Sequence, residues 1–259
     1  MLLVYRCLIS FLFPIIIIII LIRIALKKED KKRFKEKLFS SSFNVKRNYN
    51  KHLIWFHAAS IGELKSISSI IKKLNEKNDF DFLITTSTQS SALIASKEFS
   101  SEKNIMHRFF PIDKPKLVQD FLNKWKPNLV IFVDSEIWPN FLFEIKKNKI
   151  PLVLLNGRIT KKTFLRWNFI YKTAYEVFQN FDLCLASSEQ SKKYLEKLQV
   201  KNIKYIGNLK LTSENNFQDL PKQNIDVLIK NKCWCAVSTH KGEEIFSIKA
   251  HKKKKKIYS

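Results

Sequence analysis

From about residue 51 onward, short apolar runs alternate with longer stretches whose apolar positions recur at helical spacing. The runs 53–57, 82–86, 105–109, 129–133, 152–155, 183–186 and 203–206 are predicted strands. The stretches 62–75, 90–99, 115–125, 138–148, 162–180 and 189–198 are predicted helices. Strand and helix in alternation at this spacing predict an α/β fold, a Rossmann-like parallel sheet with helices on both faces. The strands are nearly continuous in apolar residues, as expected where both faces are covered. From 211 to 231 the composition turns polar, which predicts a connection, and a further strand is expected at 233–237.

The N-terminus follows another pattern. Residues 7–26 are almost all apolar, with six consecutive isoleucines from Ile15 to Ile20. About 20 such residues suffice to cross a bilayer. Pro14 and Arg23 interrupt the run, and a strongly basic segment, 27–37, follows it. Positive charge collects on the cytoplasmic side, so the segment predicts a single-pass transmembrane helix with the body facing the cytoplasm. No small-residue cleavage pattern follows the run, and a basic flank is wrong for export, which disfavours a signal peptide. A helix lying in the membrane surface fits the same residues. The expected plan is an anchor at 1–26, a basic juxtamembrane linker at 27–50, a Rossmann-like domain at 51–210, a connection at 211–231 and the start of a second domain at 232–259.

The formal charge of +24 points to a polyanionic partner: nucleic acid, an anionic membrane surface or a phosphorylated lipid. A chain rich in Lys, Ile, Asn and Phe and poor in Gly also carries a compositional bias that supplies part of that charge. No nucleic-acid-binding motif is present, so no nucleic acid partner is expected. The cysteines Cys7, Cys184, Cys233 and Cys235 form no CxxC pair, so neither a zinc site nor an oxidising compartment is expected.

The four glycines, Gly62, Gly157, Gly207 and Gly242, each lie a few residues beyond the end of a predicted strand, the edge at which open α/β sheets bind ligands. They also fit ordinary turns. His57-Ala58-Ala59-Ser60-Ile61-Gly62-Glu63 leads from the first strand into a helix, whose free N–H groups suit an anion and would favour ionised Glu63. A carboxylate there can act as a general base, and an acidic residue in a first helical turn is also a common cap. Thr85-Thr86-Ser87-Thr88 follows the second strand. Asp134-Ser135-Glu136-Ile137-Trp138-Pro139-Asn140 follows the fourth with two carboxylates. Asn156-Gly157-Arg158-Ile159-Thr160 follows the fifth with a guanidinium suited to phosphate or carboxylate. Ser238-Thr239-His240-Lys241-Gly242-Glu243-Glu244 is a hydroxyl-rich turn suited to a sugar or phosphate.

Taken in order, these segments resemble the Kdo transferases of lipopolysaccharide synthesis. Residues 57–63 resemble the family's H-x-x-S-x-G-E turn; Glu136, Trp138, Pro139 and Asn140 resemble E-x-W-P-N. Asn156 to Thr160 resemble N-(A/G)-R-(L/I)-(S/T), Gly207 to Lys210 resemble G-N-x-K, and Ala236 to Glu244 resemble A-x-S-T-H-x-G-E-E. The resemblance implies a GT-B architecture of two Rossmann-like domains. It implies transfer of Kdo from CMP-Kdo to lipid IVA, the tetraacylated lipid A precursor, with inversion, without metal or other cofactor, at the cell inner membrane. Glu63 would be the catalytic base. Ser60, Gly62, Thr86, Glu136, Asn156, Arg158, Lys210, Ser238, Thr239, His240 and Glu243 would contact substrate. Lys161, Lys162 and Arg166 are further candidates for acceptor phosphates.

Family members continue with a P-R-H segment and a later Asn/Glu pair, which this sequence lacks. It closes instead with a lysine run, Lys252 to Lys256. The expectation is a C-terminally truncated enzyme with a vestigial second domain and negligible transfer alone, unless a separate chain supplies the rest. The alternative is a non-catalytic, membrane-anchored module that binds the lipid A precursor.

Overall fold

The computed structural model describes residues 2–45, 47–211, 236–237, 239 and 241–257, with backbone alone for 253–257. The chain divides into two compact units, Met1–Ser213 and Glu214–Ser259. In the second, the described residues form one helix, Glu243–Ile257, preceded by a turn. The expected connection and most of the strand expected at 233–237 lie outside the described residues.

The first unit holds seven strands: β1 (His52–His57), β2 (Phe80–Thr86), β3 (Ile105–Phe109), β4 (Leu129–Val133), β5 (Leu152–Gly157), β6 (Leu183–Ala186) and β7 (Ile203–Tyr205). They form one sheet in the order β3-β2-β1-β4-β5-β6-β7, every pair parallel. This is the parallel α/β fold expected. The period of two along β1 divides the core: Leu53 and Trp55 face one helical layer, Ile54 and Phe56 the other. On the first face Trp55 meets Phe110, Phe121, Phe132 and Phe141 with ring centroids 4.8–6.1 Å apart.

The helices follow from spacing and caps. With α1 (Leu2–Ala25) and α2 (Lys35–Leu38) preceding β1, the body carries α3 (Ile61–Asn75), α4 (Gln89–Glu98), α5 (Pro115–Trp125), α6 (Pro139–Lys147), α7 (Lys161–Phe169), α8 (Tyr171–Phe178) and α9 (Glu189–Lys197). In α5, Pro115 opens the first turn and Leu117, Val118, Phe121, Leu122 and Trp125 make the buried stripe. Lys126, left-handed at φ 43°, ends it. The single helix expected over 162–180 is two. Ile170, at φ −110° and ψ 45°, leaves the helical region, and the chain turns there between α7 and α8.

The segment 27–50 is not a solvated tether. Leu38 and Phe43 are buried, and Lys37, also buried, binds Glu29 at 2.7 Å and the Ser87 carbonyl at 2.9 Å. Among the described residues, α1 is the one helix long and apolar enough to cross a membrane, by length and composition. It also touches the body. Tyr5 Oη donates to Asp113 at 2.8 Å, and Arg6 donates to Asn140 and Glu144 at 3.0 and 3.3 Å. Asp113 accepts the N–H groups of Asn140 and Phe141, both at 3.0 Å, so a residue from another loop caps α6, whose own N-cap Trp138 has no suitable side chain. Burial outweighs those donors and pushes the Asp113 carboxyl up to about 7.

Phe121 is fully buried among Phe43, Trp55, Trp125 and Phe141. Phe121→Ala is expected to destabilise the chain by about 3–5 kcal/mol, read by urea denaturation.

Candidate functional site

The strand order reverses its winding between β1 and β4. The loops leaving these neighbours diverge to opposite faces and open a crevice at the C-terminal edge of the sheet. Glu63 stands on one side of it and Glu136 on the other.

Ser60 caps α3: its hydroxyl oxygen accepts the Glu63 N–H at 3.4 Å, and its own proton goes to Glu63 Oε1 at 2.9 Å. Glu63 Oε2 accepts the Ala59 N–H at 2.7 Å. A variant of the capping box therefore pins both carboxylate oxygens. The sequence argument expected the helix terminus to favour the ionised form; the net shift has the opposite sign. Burial raises the Glu63 pKa, and the nearby charges of Glu136 and Asp134 raise it further. The donors Ser60 and Ala59 offset only part of this. Gly62 has no internal reason to lack a side chain, since a Cβ there would meet only Lys210 Cε, at 3.9 Å.

Across the crevice, Glu136 Oε2 lies 3.2 Å from His57 Nε2 and accepts the Trp138 indole N–H at 2.7 Å. Burial would raise the Glu136 pKa, but the hydrogen bond and charge of His57 and the indole donor outweigh it, and the carboxyl lies below its ordinary value. His57 is fully buried and stacked on Phe110 at 3.7 Å. Its Nδ1 lies 3.1 Å from Thr85 Oγ1, which already accepts the Trp55 indole N–H at 2.9 Å. Nδ1 also lies 3.1 Å from the Thr85 backbone carbonyl, which can only accept. Two neighbouring glutamates are thereby pushed in opposite directions.

Lys210 joins from beyond β7, its Nζ 2.5 Å from Asp134 Oδ2. Asp134 and Asn156 both adopt left-handed backbone, at φ 65° and 56°. Asn156 is buried and accepts the Leu209 N–H at 3.0 Å, holding the 3-10 turn Leu209–Leu211 that carries Lys210. Beside them is a polar cleft of about 450 Å³, lined by Asp134, Asn156, Arg158, Lys161, Ser188 and Lys210 among others. The N-termini of α7 and α9, capped by Thr160 and Ser188, open onto it. Arg158 is exposed and makes no ion pair among the described residues. Such a cleft suits an anion.

On the other side of Glu136 the lining is apolar. Trp138 borders two clefts against α1, of about 380 and 260 Å³. Leu2, Leu8, Trp167 and Val177 line the larger, and Ile9, Ile16 and Phe110 the smaller.

The edge of the sheet thus gathers Ser60, Gly62, Glu63, Glu136, Asn156, Arg158 and Lys210 from the residues picked out in the sequence. Thr86 departs from its expected role as a contact. It is fully buried, and its hydroxyl is 3.0 Å from His107 Nε2. Burial, with Arg33 and Arg108 nearby, lowers the His107 pKa to about 3. Ser60 and Asn156 are occupied in holding Glu63 and the Lys210 turn. Thr239 and Glu243 belong to the second unit, where Thr239 Oγ1 donates to Glu244 at 3.0 Å and Glu243 opens the helix. Ser238 and His240 lie outside the described residues. Sequence reasoning did not select His57, Asp134 or Trp138 individually. The available signal was parity: His57 shares the strand face of Leu53 and Trp55, where a buried polar group must find a partner.

Residues 31–213 match the family described as 3-deoxy-D-manno-octulosonic-acid transferase (kdotransferase). The chain is similar to the 3-deoxy-D-manno-octulosonic acid transferase of Rickettsia bellii, at 34% identity over 90% of this chain and 55% of the relative. It is also similar to a probable mitochondrial 3-deoxy-D-manno-octulosonic acid transferase of Arabidopsis thaliana, at 30% identity over 77% of this chain and 46% of the relative. The chain spans about half the length of the curated relatives it matches. A solved structure of a putative UDP-N-acetylglucosamine 2-epimerase from Listeria monocytogenes shares the fold, with a TM-score of 0.51, 11% identity, 70% of this chain covered and 52% of the other. The match over 31–213 covers most of the first unit, including both glutamates at the crevice and Lys210 beside them, and the chain belongs to the 3-deoxy-D-manno-octulosonic-acid transferase family.

Proposed function

We propose that the first unit is the acceptor side of an inverting Kdo transferase that takes Kdo from CMP-Kdo to lipid IVA. The supporting observation is Glu63, whose two carboxylate oxygens are fixed by Ala59 and Ser60 at the ligand edge while burial raises its basicity. In a single displacement Glu63 removes the proton of the acceptor hydroxyl as its oxygen attacks the anomeric carbon, and CMP leaves from the opposite face. Glu136, held by His57 and Trp138, stays ionised and orients hydroxyl groups. Arg158, Lys161 and the N-termini of α7 and α9 receive an acceptor phosphate. Trp138 joins the polar and apolar parts, its N–H on Glu136 and its ring on the clefts against α1, as a substrate with acyl chains requires. The unit is held at the inner membrane through α1, with the body on the cytoplasmic side.

A transferase carrying this site is expected to lose about 100- to 10,000-fold in rate on Glu63→Gln, assayed as transfer of Kdo to lipid IVA. Undiminished transfer would remove Glu63 from the reaction. The base must be ionised to work, and its raised pKa keeps the proton on to a higher pH. The acid limb of kcat/KM is therefore expected above the ordinary glutamate value of 4.5.

Ser60→Ala removes the cap of α3 and a donor to Glu63. It should cost about 1 kcal/mol in denaturation and move that limb further up in pH.

Arg158→Ala should weaken lipid IVA binding by about tenfold, measured on the 259-residue chain. Unchanged binding argues against the phosphate role, and binding without any transfer is the outcome that favours a non-catalytic module.

A further inference from the structure

α1 touches the body along its length, on a single face. Tyr5 and Arg6 bond to Asp113 before α5, Asn140 at the start of α6 and Glu144 further along α6. Lys114 Nζ stands 3.9 Å from the centre of the Phe13 ring. Ile9 and Ile16 close the smaller apolar cleft with Lys37 and Phe110, and Ile20 is buried. At the far end Arg23 donates to Glu29 at 2.9 Å, and Glu29 in turn binds buried Lys37. Residues 5, 9, 13, 16 and 20 recur at helical spacing and make the inner stripe.

The opposite face is left apolar. Leu3, Phe11, Ile15, Ile18 and Ile22 are all about half exposed or more. Just beyond the helix the exposed lysines Lys27, Lys28, Lys31, Lys32 and Lys35 form a collar.

A crossing helix conflicts with these contacts. Tyr5 and Arg23 are 18 residues apart, about 27 Å at 1.5 Å per residue, nearly the depth of the hydrocarbon core. Were α1 to cross, the groups bonded to Tyr5 and those bonded to Arg23 would lie at opposite membrane faces. The body joining them would then run through hydrocarbon with the Lys114 ammonium, which stands over Phe13 midway along the helix, at about 2.5–3.5 kcal/mol for a charge there. A helix apolar all round but not crossing needs apolar surroundings on both sides, and the body supplies one.

We propose that α1 lies in the plane of the membrane, its inner stripe bonded to the body through Tyr5 and Arg6, its outer face sunk into a single leaflet with anionic headgroups against the lysine collar. Both ends of the helix and the body are then on one side. This rests on the membrane attachment proposed above and replaces the single crossing expected from the sequence. It also brings the clefts beside Trp138 to the lipid surface.

The test uses the full chain with an N-terminal epitope tag. Flotation with phosphatidylglycerol-containing vesicles reads attachment; protease added to spheroplasts or to inverted inner-membrane vesicles reads the side. The expected result is flotation, with loss of the tag in inverted vesicles only, together with digestion of the body. Loss of the tag in spheroplasts while the body survives overturns the in-plane arrangement and leaves membrane attachment standing. Absence of flotation overturns both.

Discussion

A fully buried imidazole bridges the seam at which the sheet reverses its winding. His57 ends β1, faces Glu136 from the loop after β4, and is fixed from behind by Thr85 on β2. Three strands and the two loops that open the crevice therefore depend on one ring. The ring sits where it does because the aromatic layer of Trp55, Phe110 and Phe132 leaves a flat slot for it. Packing thus sets the position of the carboxylate, and the carboxylate sets the field felt by its neighbour Glu63.

That field explains how two glutamates at one edge acquire different chemistry. Glu136 has two donors, His57 and Trp138, to offset its burial; Glu63 has donors too, but its burial is reinforced by the negative charges of Glu136 and Asp134. In the transfer proposed for this site, a carboxylate kept basic beside one kept ionised is the division of labour that proton abstraction and substrate orientation call for. Lys210, bound to Asp134, moderates the excess of negative charge.

The same loops reach outward to α1. Asp113 caps α6 and receives Tyr5, so the start of α6, which carries the Trp-Pro-Asn turn, is also where α1 docks. Trp138 stands between the two, with its N–H toward Glu136 and its ring toward α1. α1 and the candidate site share one supporting turn.

The seven strands and their parallel arrangement were legible in the sequence, because apolar runs covered on both faces leave a strong local signature. So were the helix start that carries Glu63 and the length of α1. The break at Ile170 was not legible, since the apolar spacing of 162–180 runs through it without a glycine or proline. The sign of the Glu63 shift escaped because its causes, burial first and then the charges of Glu136 and Asp134, arise only when distant parts of the chain pack around it. Thr86 looked available as a hydroxyl at a strand end until His107 from the neighbouring strand covered it. Spacing and composition determined which elements form and which edge holds polar residues, since those depend on local geometry and burial. The pairing of His57 with Glu136, the docking of Tyr5 on Asp113 and the basicity of Glu63 were decided only in the tertiary structure, because each arises from groups that meet across distant parts of the chain.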